Sequence, residues 1–438
     1  MRRNQERLFW VGVFLVLVLA PLFVLLIVPT PSDRGFWREL SAALGYAGLA
    51  MVGTQLLLTA RIRRLSRPFE IDTLYYFHRQ VSIVAGVLLL AHPVLLFVVN
   101  PALLRLLNPL AAPWRATAGV LSLLLLVLII STSIWRVKLR LPYEWWRTLH
   151  AVLAVGILVL AFWHILGIDY HLNAPWKREL WITLGAVWLV ALLYTRVVKP
   201  VMVYTHPYRV ERIIEERGRS WTLVLAPEGH RGLHFCPGQF AWLSIWSTPF
   251  DLHEHPFSFS GSAEQPEHLH FTIKALGDFT ARIGSITPGT RVYVDGPYGG
   301  FMLDRYPAPA YVFIAGGIGI TPIMSMLRSL ADRRDTRPLW LFYANRTWEG
   351  VTFRDELAEK AALLELRVIH VLQEAPAGWT GDVGMITREI LARELPEDCK
   401  EIEYFICGPP PMMDAVERHL LALGVPMEQL HTERFNLV

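Results

Sequence analysis

The hydrophobic pattern divides the chain into two halves. The first 200 residues are mostly long, nearly unbroken apolar runs, whereas the sequence after Pro200 has short alternating runs separated by turns rich in Gly and Pro. A run of about 20 apolar residues is long enough to cross a bilayer as a helix. Short alternating runs are typical of strands in a water-soluble protein. The pattern therefore predicts a membrane domain at residues 1–200, in contact with the lipid bilayer, followed by a soluble unit.

Six apolar runs in the first half approach the length of a membrane-spanning helix. They lie at about residues 8–28, 40–60, 77–99, 119–133, 146–168 and 180–198. The first run is too long for the core of a signal peptide and lacks a convincing cleavage site. Lys and Arg are concentrated before the first run, between the second and third, between the fourth and fifth, and after the sixth. Because positively charged loops stay inside, we expect a multi-pass protein of the inner or plasma membrane with both termini in the cytoplasm.

Two of the predicted spans share an unusual feature. The third contains His78 and His92, and the fifth contains His150 and His164, so that the second histidine of each span lies 14 positions after the first. In a helix, 14 residues fall about 40° short of four turns and rise about 21 Å. Both rings of a span would therefore share one face and lie near opposite sides of the hydrocarbon core. An ionisable group inside a membrane is costly and indicates a function.

The four histidines have the arrangement expected of axial ligands for two stacked haems that are held between two helices of a bundle. One alternative is a hydrogen bond from each ring to a neighbouring helix. Another is zinc or copper, but these metals prefer clustered ligands and usually more than two per site. Since both spans run from inside to outside in the predicted topology, His78 and His150 would bind the inner haem, and His92 and His164 the outer one.

The soluble half predicts two domains. Short runs at about residues 208–213, 222–225, 240–246, 269–274 and 291–294 predict a small antiparallel β-barrel at residues 205–304. Strand-like runs at residues 311–315, 339–343, 366–371 and 404–407 alternate with helical patterns. This alternation indicates an α/β domain with a doubly wound parallel sheet at residues 305–438.

Two turns follow strands of the predicted parallel sheet, and each opens a helix. The first is Gly316-Gly317-Ile318-Gly319-Ile320-Thr321-Pro322, and the second is Cys407-Gly408-Pro409-Pro410-Pro411-Met412. Ligands bind at the carboxyl ends of such strands, where glycine lets the backbone approach a pyrophosphate and a helix N-terminus favours its charge. We therefore expect the two turns to outline one nucleotide pocket, although a structural turn would account for the first on its own.

The predicted barrel contains two further candidate segments. His255-Pro256-Phe257-Ser258-Phe259-Ser260 combines rings and hydroxyls that suit a flat aromatic cofactor, and the alternative is an ordinary edge strand. Lys274, Gly277 and Thr280 lie at the end of a strand and the start of a short helix predicted at residues 277–286. A cation beside helix amides is a suitable site for a diphosphate.

Composition excludes several other classes of protein. Three cysteines, Cys236, Cys399 and Cys407, are too few for an iron–sulfur cluster bound by four thiolates. The net charge of +4 is small and its positive residues cluster at span ends, so no nucleic-acid partner is expected. The chain has no EF-hand pattern and no long acidic or proline-rich tail. We therefore expect activity without calcium and without an obligatory regulatory subunit.

In their order along the chain, these segments resemble the NADPH oxidase and ferric reductase family. The matching motifs are HPFSFS at 255–260, IKALGDFT at 273–280, GPYG at 296–299, GGIGITP at 316–322, CGPPPMM at 407–413 and ERF at 433–435, all behind the two histidine pairs. The resemblance covers nearly the whole chain. It implies a six-helix transmembrane bundle with two b-type haems, followed by a ferredoxin-reductase-like unit that binds FAD and NADPH, with NADH as a possible alternative.

The resemblance also implies roles for individual residues. His255, Pro256, Phe257 and Ser258 would contact the flavin, and Lys274 and Thr280 would face the FAD phosphates. Gly317, Gly319, Thr321 and Pro322 would meet the nicotinamide nucleotide. Two residues would have catalytic roles: Phe435 would stack on the isoalloxazine until nicotinamide displaces it, and Cys407 would lie near the nicotinamide. His255 stands where the commoner flavin pattern, RxYS, has arginine. The form with histidine is the one found in the oxidase branch of the family.

Arg346 bears on the choice between NADPH and NADH. It follows the predicted strand that ends near Tyr343. An arginine at this place accommodates a 2′-phosphate, whereas NAD-preferring sites usually offer a carboxylate to the ribose. We therefore expect a preference for NADPH, and the alternative is a solvated surface arginine.

Together these features predict an enzyme that transfers electrons from cytoplasmic NADPH through FAD and two haems to molecular oxygen on the outer face. Bis-histidine ligation leaves no open iron position, so oxygen would be reduced at the haem edge and released as superoxide. A ferric chelate is the alternative small-molecule acceptor. Two further hypotheses are an electron donor for a separate quinone or periplasmic redox partner, and a non-redox transporter.

Overall fold

The computed structural model describes residues 2–27, 35–62, 69, 71–251, 253–396 and 401–435. The chain forms two compact units, Met1–Pro200 and Val201–Val438. This boundary agrees with the change in hydrophobic pattern at Pro200.

Helices make up the first unit. They are α1 (Arg2–Ile27), α2 (Phe36–Leu58), α3 (Ile71–Val99), α4 (Trp114–Ile134), α5 (Tyr143–Ile168) and α6 (Pro175–Leu193), after which a π-helical turn (Tyr194–Val198) leads into α7 (Lys199–Tyr204). Proline lies at or just before the first turn of α4, α5 and α6, where its fixed φ favours the helix and no amide is lost.

Five helical segments of the described residues are long and apolar enough to cross a membrane: Phe36–Leu58, Thr73–Val99, Trp114–Ile134, Tyr143–Ile168 and Pro175–Tyr204. Helix α1 is also continuous and its sequence is apolar from Leu8 to Ile27, but it is not among these five segments. The prediction of a helical membrane domain is therefore confirmed for five spans, whereas the predicted count of six is not.

Glycines allow close approach between neighbouring helices of this unit. Helix α2 packs on α3, and α4 packs on α5. A Cβ atom at Gly48 of α2 would lie 2.6 Å from Leu89 of α3, and one at Gly156 of α5 would lie 3.0 Å from Leu125 of α4. Small residues at such crossings are the usual means of tight helix packing in membranes. By contrast, α3 and α5 do not pack closely on each other.

The second unit begins with an antiparallel sheet that has the form of a half-barrel. Its strands are β1 (Tyr208–Glu216), β2 (Ser220–Pro227), β3 (Phe240–Ile245), β4 (His255–Ser258), β5 (Leu269–Lys274) and β6 (Arg291–Tyr298), in the order β4-β3-β6-β1-β2-β5. A bridge between Phe259 and Phe271 links the two outer strands. The apolar residues that point inward form one buried core. A short helix α8 (Asp278–Ala281) follows β5, so the helix predicted at 277–286 is shorter than expected.

A parallel sheet completes the second unit. Its strands are β7 (Ala310–Gly316), β8 (Leu339–Asn345), β9 (Leu366–Leu372), β10 (Asp382–Val383), β11 (Ile402–Cys407) and β12 (Leu430–Glu433), in the order β10-β9-β8-β7-β11-β12. Helices α9 (Ile320–Asp332), α10 (Arg354–Leu363), α11 (Arg388–Glu394) and α12 (Pro410–Ala422) connect the strands. Apolar cores lie on both faces of the sheet, which confirms the predicted doubly wound α/β domain.

Polar contacts from α9 join the two sheets. Arg328 donates to Glu356 of α10 and to the backbone carbonyl of Ser260 in the half-barrel, and Ser325 donates to the carbonyl of Gly261 at 2.7 Å. These bonds are largely buried, so they fix the position of the glycine turn before α9 relative to the half-barrel.

Candidate functional site

The structure brings the four intramembrane histidines together in pairs. The ring centroids of His78 and His150 are 6.3 Å apart, and those of His92 and His164 are 6.4 Å apart. Each pair joins α3 to α5 across the space where these helices do not pack on each other. The partners are those that the topology predicts from the sequence, and their role as metal ligands stays a prediction.

Each ring of the first pair has one nitrogen engaged in a hydrogen bond. His78 Nδ1 lies 2.7 Å from the side-chain oxygen of Gln55, and His150 Nδ1 lies 3.3 Å from the Ser133 hydroxyl oxygen. The Ser133 hydroxyl donates its own proton to the carbonyl of Ile129 at 2.6 Å. Since both partners are thereby acceptors, both histidines donate from Nδ1, and the lone pair of each ring is on Nε2.

The second pair repeats this arrangement with different partners. His92 Nδ1 lies 2.8 Å from the carbonyl oxygen of Ser41, and His164 Nδ1 lies 2.7 Å from the carbonyl oxygen of Arg115. A carbonyl can only accept, so these rings also carry their proton on Nδ1. All four histidines therefore have the tautomer in which Nε2 is available to a metal.

The spacing within each pair suits one metal atom between two rings. Bonds from a metal to imidazole nitrogen are about 2 Å and a ring centroid lies about 1 Å behind its nitrogen, so a shared metal would separate the centroids by about 6 Å. Within the part of the chain that the structure describes, no three His, Cys, Asp or Glu side chains form a metal-binding group. Each level thus offers two imidazoles, which fits a haem and is fewer ligands than zinc usually takes.

Glycines make room for two of these rings. A Cβ atom at Gly119 of α4 would lie 2.6 Å from His164 Nδ1, and one at Gly45 of α2 would lie 3.3 Å from the ring of His92. Both histidines are therefore packed against helix backbone, which limits the orientations that their rings can adopt.

In the second unit, the two predicted nucleotide turns meet at the carboxyl ends of adjacent strands. Ala315 at the end of β7 pairs with Cys407 at the end of β11. A Cβ atom at Gly319 would lie 2.3 Å from the Cys407 carbonyl oxygen, and one at Gly408 would lie 3.0 Å from Gly316. Only glycine allows the two turns to approach this closely, so the fold requires glycine at both positions.

Gly317 differs from the other glycines of this turn. Its φ is +53°, and a Cβ atom built there would meet no other atom within 4 Å. The backbone at Gly317 therefore borders open space beside the N-terminus of α9. This is where a pyrophosphate can approach the main chain.

The remaining residues of the two turns pack beneath this opening. Thr321 and Pro322 are buried in the first turn of α9, and the Thr321 hydroxyl donates to the carbonyl of Ile318. A Cβ atom at Gly316 would lie 2.6 Å from the sulfur of Met412 and 2.7 Å from Pro409. Met412 and Pro409 thus support the glycine turn from the start of α12.

A buried tyrosine supports the same turn from β8. The Tyr343 hydroxyl donates to the carbonyl oxygen of Gly317 at 3.1 Å and lies 3.4 Å from that of Thr352. Burial raises the pKa of the Tyr343 phenol above its ordinary value, so the hydroxyl remains a donor throughout the physiological pH range. Sequence reasoning missed this residue.

The predicted flavin segment forms β4, at one edge of the half-barrel. The Ser258 hydroxyl is buried and has no hydrogen-bond partner among the described residues. Because a buried unpaired hydroxyl is costly, Ser258 fits a site whose occupant supplies the partner. His255 stacks on Phe279 with ring centroids 3.8 Å apart, and Phe257 lies parallel to the same ring at 6.3 Å.

Register places Ser258 beside two other predicted motifs. Phe240 of β3 pairs with Ser258 on one side and with Tyr298 on the other. A Cβ atom at Gly299 would lie 3.5 Å from a carboxyl oxygen of Glu433. The GPYG and ERF segments therefore meet next to the flavin candidate, and Phe435, which is 45% exposed, follows two residues after Glu433.

Lys274, Gly277 and Thr280 lie together at the end of β5 and the start of α8. The Thr280 hydroxyl oxygen accepts hydrogen bonds from the amides of Leu276 and Gly277 at 2.9 and 3.0 Å. A Cβ atom at Gly277 would meet no neighbour within 4 Å. This loop is therefore exposed and open, as a diphosphate site requires.

Three other predicted residues have surroundings that the sequence did not indicate. Ser260 is fully buried, and its hydroxyl accepts a hydrogen bond from Thr272 at 2.8 Å inside the half-barrel. Cys407 is also fully buried, in the core beneath the turn. Arg346 is mostly exposed and donates to Glu374 at 2.8 Å. Their proposed contacts with cofactors stay predictions, and Cys399 lies outside the described residues.

The residues that bind the histidine Nδ1 atoms were also missed. A signal for two of them is present in the sequence: Ser41 and Gln55 are 14 positions apart on α2, the same spacing as His78 and His92 on α3. A polar residue within an apolar span indicates a functional role, as a charged one does.

Three family models match successive parts of the chain. Residues 44–161 match the ferric reductase like transmembrane component, residues 223–301 match an FAD-binding domain, and residues 313–418 match the oxidoreductase NAD-binding domain. The first match contains all of the paired histidines except His164, and the other two cover most of the half-barrel and most of the parallel sheet.

Curated relatives are similar to part of the chain. It is 32% identical over 237 residues to the reductase component of propane 2-monooxygenase from Rhodococcus jostii, which covers 52% of the chain and 62% of that protein. It is 32% identical over 182 residues to NADH-cytochrome b5 reductase 1 from Pyricularia oryzae, which covers 39% of the chain and 59% of that protein. The chain thus spans about three fifths of the length of these two relatives.

Among solved structures, the flavohem-like FAD/NAD-binding domain of nitric oxide dioxygenase from Vibrio cholerae matches with a TM-score of 0.46 and 22% identity, covering 52% of the chain and 98% of that domain. From the three family matches in their order, the chain belongs to the proteins with ferric reductase and NADPH oxidase-like architecture, in which a ferric reductase-like membrane component precedes FAD- and NAD-binding domains.

Proposed function

We propose that this protein is an NADPH oxidase that transfers electrons across a membrane from NADPH through FAD and two haems to oxygen, with superoxide as the product. The observation that carries the proposal is the arrangement of the four intramembrane histidines. Two facing pairs, each with centroids just over 6 Å apart and every Nδ1 already donating, leave four Nε2 atoms with no other evident purpose.

The histidines would bind one b-type haem per pair, His78 with His150 and His92 with His164. When bound, the haems supply one-electron transfer, and FAD supplies the exchange between a two-electron hydride donor and one-electron acceptors. Since His92 and His164 would together hold the haem at their level, the acceptor would receive its electron without binding to the metal.

Residues of the second unit would bind and orient the two nucleotides. Ser258 would give its hydroxyl hydrogen bond to the flavin, and the open loop at Gly277 would face the FAD phosphates. The Gly317 backbone would approach the pyrophosphate of NADPH. Phe435 would cover the flavin and exclude water until the nicotinamide replaces it.

An absorption spectrum of the purified full-length protein tests this proposal. Addition of NADPH in the presence of FAD, without oxygen, should produce the spectrum of reduced low-spin haem, and omission of FAD should abolish the change. A purified protein that contains neither haem nor flavin after expression with a sufficient haem supply would refute the proposal.

Alanine substitutions of single histidines test the pairing. His78→Ala and His150→Ala should remove the same haem, and His92→Ala and His164→Ala should remove the other, so that haem content falls by about half in each variant. Loss of the same haem from His78→Ala and His92→Ala would contradict the pairing.

The acceptor is tested separately. If oxygen accepts the electrons, superoxide dismutase should abolish the reduction of added cytochrome c by the protein and NADPH. Reduction of a ferric chelate that superoxide dismutase does not affect would identify a ferric reductase. Little turnover with either acceptor would indicate a separate redox partner.

A further inference from the structure

The hydrogen-bond partners of the four histidines differ between the two levels of the membrane unit. Side-chain oxygens of Gln55 and Ser133 accept from His78 and His150. Main-chain carbonyl oxygens accept from His92 and His164 at the other level. At the first level both partners are therefore replaceable side chains. At the second level the main chain accepts from both rings, and the Ser41 hydroxyl also lies 3.0 Å from His92 Nδ1.

The hydrogen-bond acceptor at Nδ1 determines how strongly the imidazole donates its Nε2 lone pair to a bound metal. A hydrogen bond from Nδ1–H fixes the tautomer and raises the basicity of the ligand, which stabilises oxidised iron and lowers the reduction potential. The bond from His150 to Ser133 is 3.3 Å long, beyond the usual range for N–H···O bonds, and is therefore weak. Gln55 thus supplies the main hydrogen bond at the level of His78 and His150.

Gln55 is a poor choice for any purely structural role. It is only 8% exposed, and its amide nitrogen has no hydrogen-bond partner among the described residues. A buried unpaired amide destabilises the fold, whereas leucine at the same place in the apolar helix α2 would carry no such cost. The glutamine therefore has a reason to be there other than stability, and the one hydrogen-bonded atom of its side chain contacts His78.

We propose that Gln55, with Ser133 as a weaker second partner, is a positioning residue that sets the reduction potential of one haem independently of the other. This inference rests on the proposed function, since it requires a haem between His78 and His150. Electron flow from the flavin unit to the second haem would then be adjustable at two side chains without any change of an iron ligand.

Redox titration of the full-length protein with a spectroscopic readout tests the proposal. Gln55→Leu removes the acceptor and should raise one of the two haem midpoint potentials, whereas Gln55→Glu places a carboxylate beside His78 Nδ1 and should lower the same midpoint. Residues that hydrogen-bond to a metal ligand typically change the equilibria of the metal about tenfold or more. A tenfold change in the equilibrium constant of reduction corresponds to about 59 mV for a one-electron couple. The other midpoint should not move.

A neighbouring residue provides the matched control. Thr54 is also buried and polar on α2, but its hydroxyl donates to the carbonyl of Met51 in its own helix. Thr54→Val should leave both midpoints unchanged. Ser133→Ala should cause a smaller rise in the midpoint that Gln55→Leu raises, and it serves as the test if Gln55→Leu fails to retain haem.

The outcomes separate this inference from the proposed function. A protein without haem refutes the proposed function itself. A protein with two haems whose midpoints stay fixed in all Gln55 and Ser133 variants refutes only the inference. Equal shifts of both midpoints, or an equal shift in Thr54→Val, would likewise overturn it.

Discussion

The Tyr343 side chain illustrates how one buried atom can position a binding site. Its hydroxyl reaches from β8 to the carbonyl of Gly317, the glycine whose backbone borders open space. Carbonyl oxygens of Gly317 and Thr352 both lie within 3.5 Å of this oxygen. The bond therefore ties the turn to its neighbouring strand at the place where a nucleotide would bind.

Replacement of Tyr343 by phenylalanine should weaken nucleotide binding more than it weakens the fold. The substitution removes one buried hydrogen bond and leaves the Gly317 carbonyl with only the Ile320 amide as donor. The loss of such a bond costs about 0.5–1.5 kcal/mol, so we expect the KM for NADPH to rise several-fold. Tyr311→Phe is the matched control, since the Tyr311 hydroxyl is bonded at the opposite end of the sheet, to Arg337 and Tyr306. The KM for NADPH of both variants is measured by steady-state kinetics. An equal rise in the two variants would contradict a positioning role of Tyr343.

Arg346 allows a test of whether a single side chain sets the preference for NADPH over NADH. Its bond to Glu374 joins two largely exposed side chains, and such a pair contributes only about 0–1 kcal/mol. The guanidinium can therefore exchange this partner for a 2′-phosphate at little cost. We expect Arg346→Ala to lower the ratio of kcat/KM for NADPH to that for NADH about tenfold or more, and Glu374→Gln to raise it. An unchanged ratio in Arg346→Ala would show that Arg346 is an ordinary surface residue.

Sequence reasoning identified residues whose chemistry or spacing is unusual, but not the residues that support them. The 14-residue spacing predicted that the two histidines of each span share a face, because helix geometry fixes which positions do so. The predicted topology then paired His78 with His150 and His92 with His164, and these rings do face each other. Tyr343, Ser133 and the Arg115 carbonyl have no such signal, since their role depends on contacts between elements distant in sequence. Gln55 did have one and was overlooked.

At the scale of elements, the strands were predicted more accurately than the ends of the helices. Every strand predicted for the parallel sheet is present, one or two residues longer than expected, because buried apolar runs bounded by glycine and proline are distinctive. The short helix after β5 was overestimated, since its extent depends on the turn at Arg282 rather than on any apolar periodicity. Helix α1 includes residues 8–27 of the first predicted apolar run.

Two half-buried histidines, one in each sheet of the second unit, should make its stability depend on pH. Burial, together with the charge of nearby arginines, lowers the pKa of His270 on β5 and of His370 on β9 to about 4. The folded state therefore resists protonation while the unfolded chain takes up protons below its ordinary histidine pKa of about 6.5. Stability should fall as pH decreases from about 6.5 to 4, and should not change through these groups at higher pH.

Thermal melting of the full-length protein measures this effect. Trp348 contacts the His370 ring at a centroid distance of 5.1 Å, so tryptophan fluorescence reports on this region. His370→Gln should lose less melting temperature between pH 7 and pH 5 than the unmodified protein does. His253→Gln changes an exposed histidine and should melt in parallel with the unmodified protein. Parallel behaviour of all three would show that His370 does not contribute to the pH dependence.

At the scale of the whole molecule, the distribution of charge predicts which side of the membrane each end of the first unit faces. Arg136 lies over the rings of Tyr143 and Trp146 at the end of the bundle that is nearer to His150. At the other end, His171 is 3.6 Å from Glu39, in the part of the chain with fewer positive residues. Because the more positive end stays inside, His78 and His150 should lie towards the cytoplasm.

Reporter fusions test both this orientation and the number of spans. Green fluorescent protein fluoresces when it remains in the cytoplasm, and alkaline phosphatase is active only after export. A fluorescent protein fused after Val438 should fluoresce, and a phosphatase inserted in the loop between α5 and α6 should be active. The reverse pattern would place the nucleotide-binding unit outside and contradict the proposed electron route.

A fusion at the N-terminus tests whether α1 crosses the membrane. If α1 crosses the membrane as the sixth span, both termini lie on one side and the N-terminal fusion fluoresces, whereas five spans place the N-terminus outside and leave it dark. The sequence of α1 is apolar from Leu8 to Ile27, which is about 30 Å of helix at about 1.5 Å per residue, so its length permits a crossing.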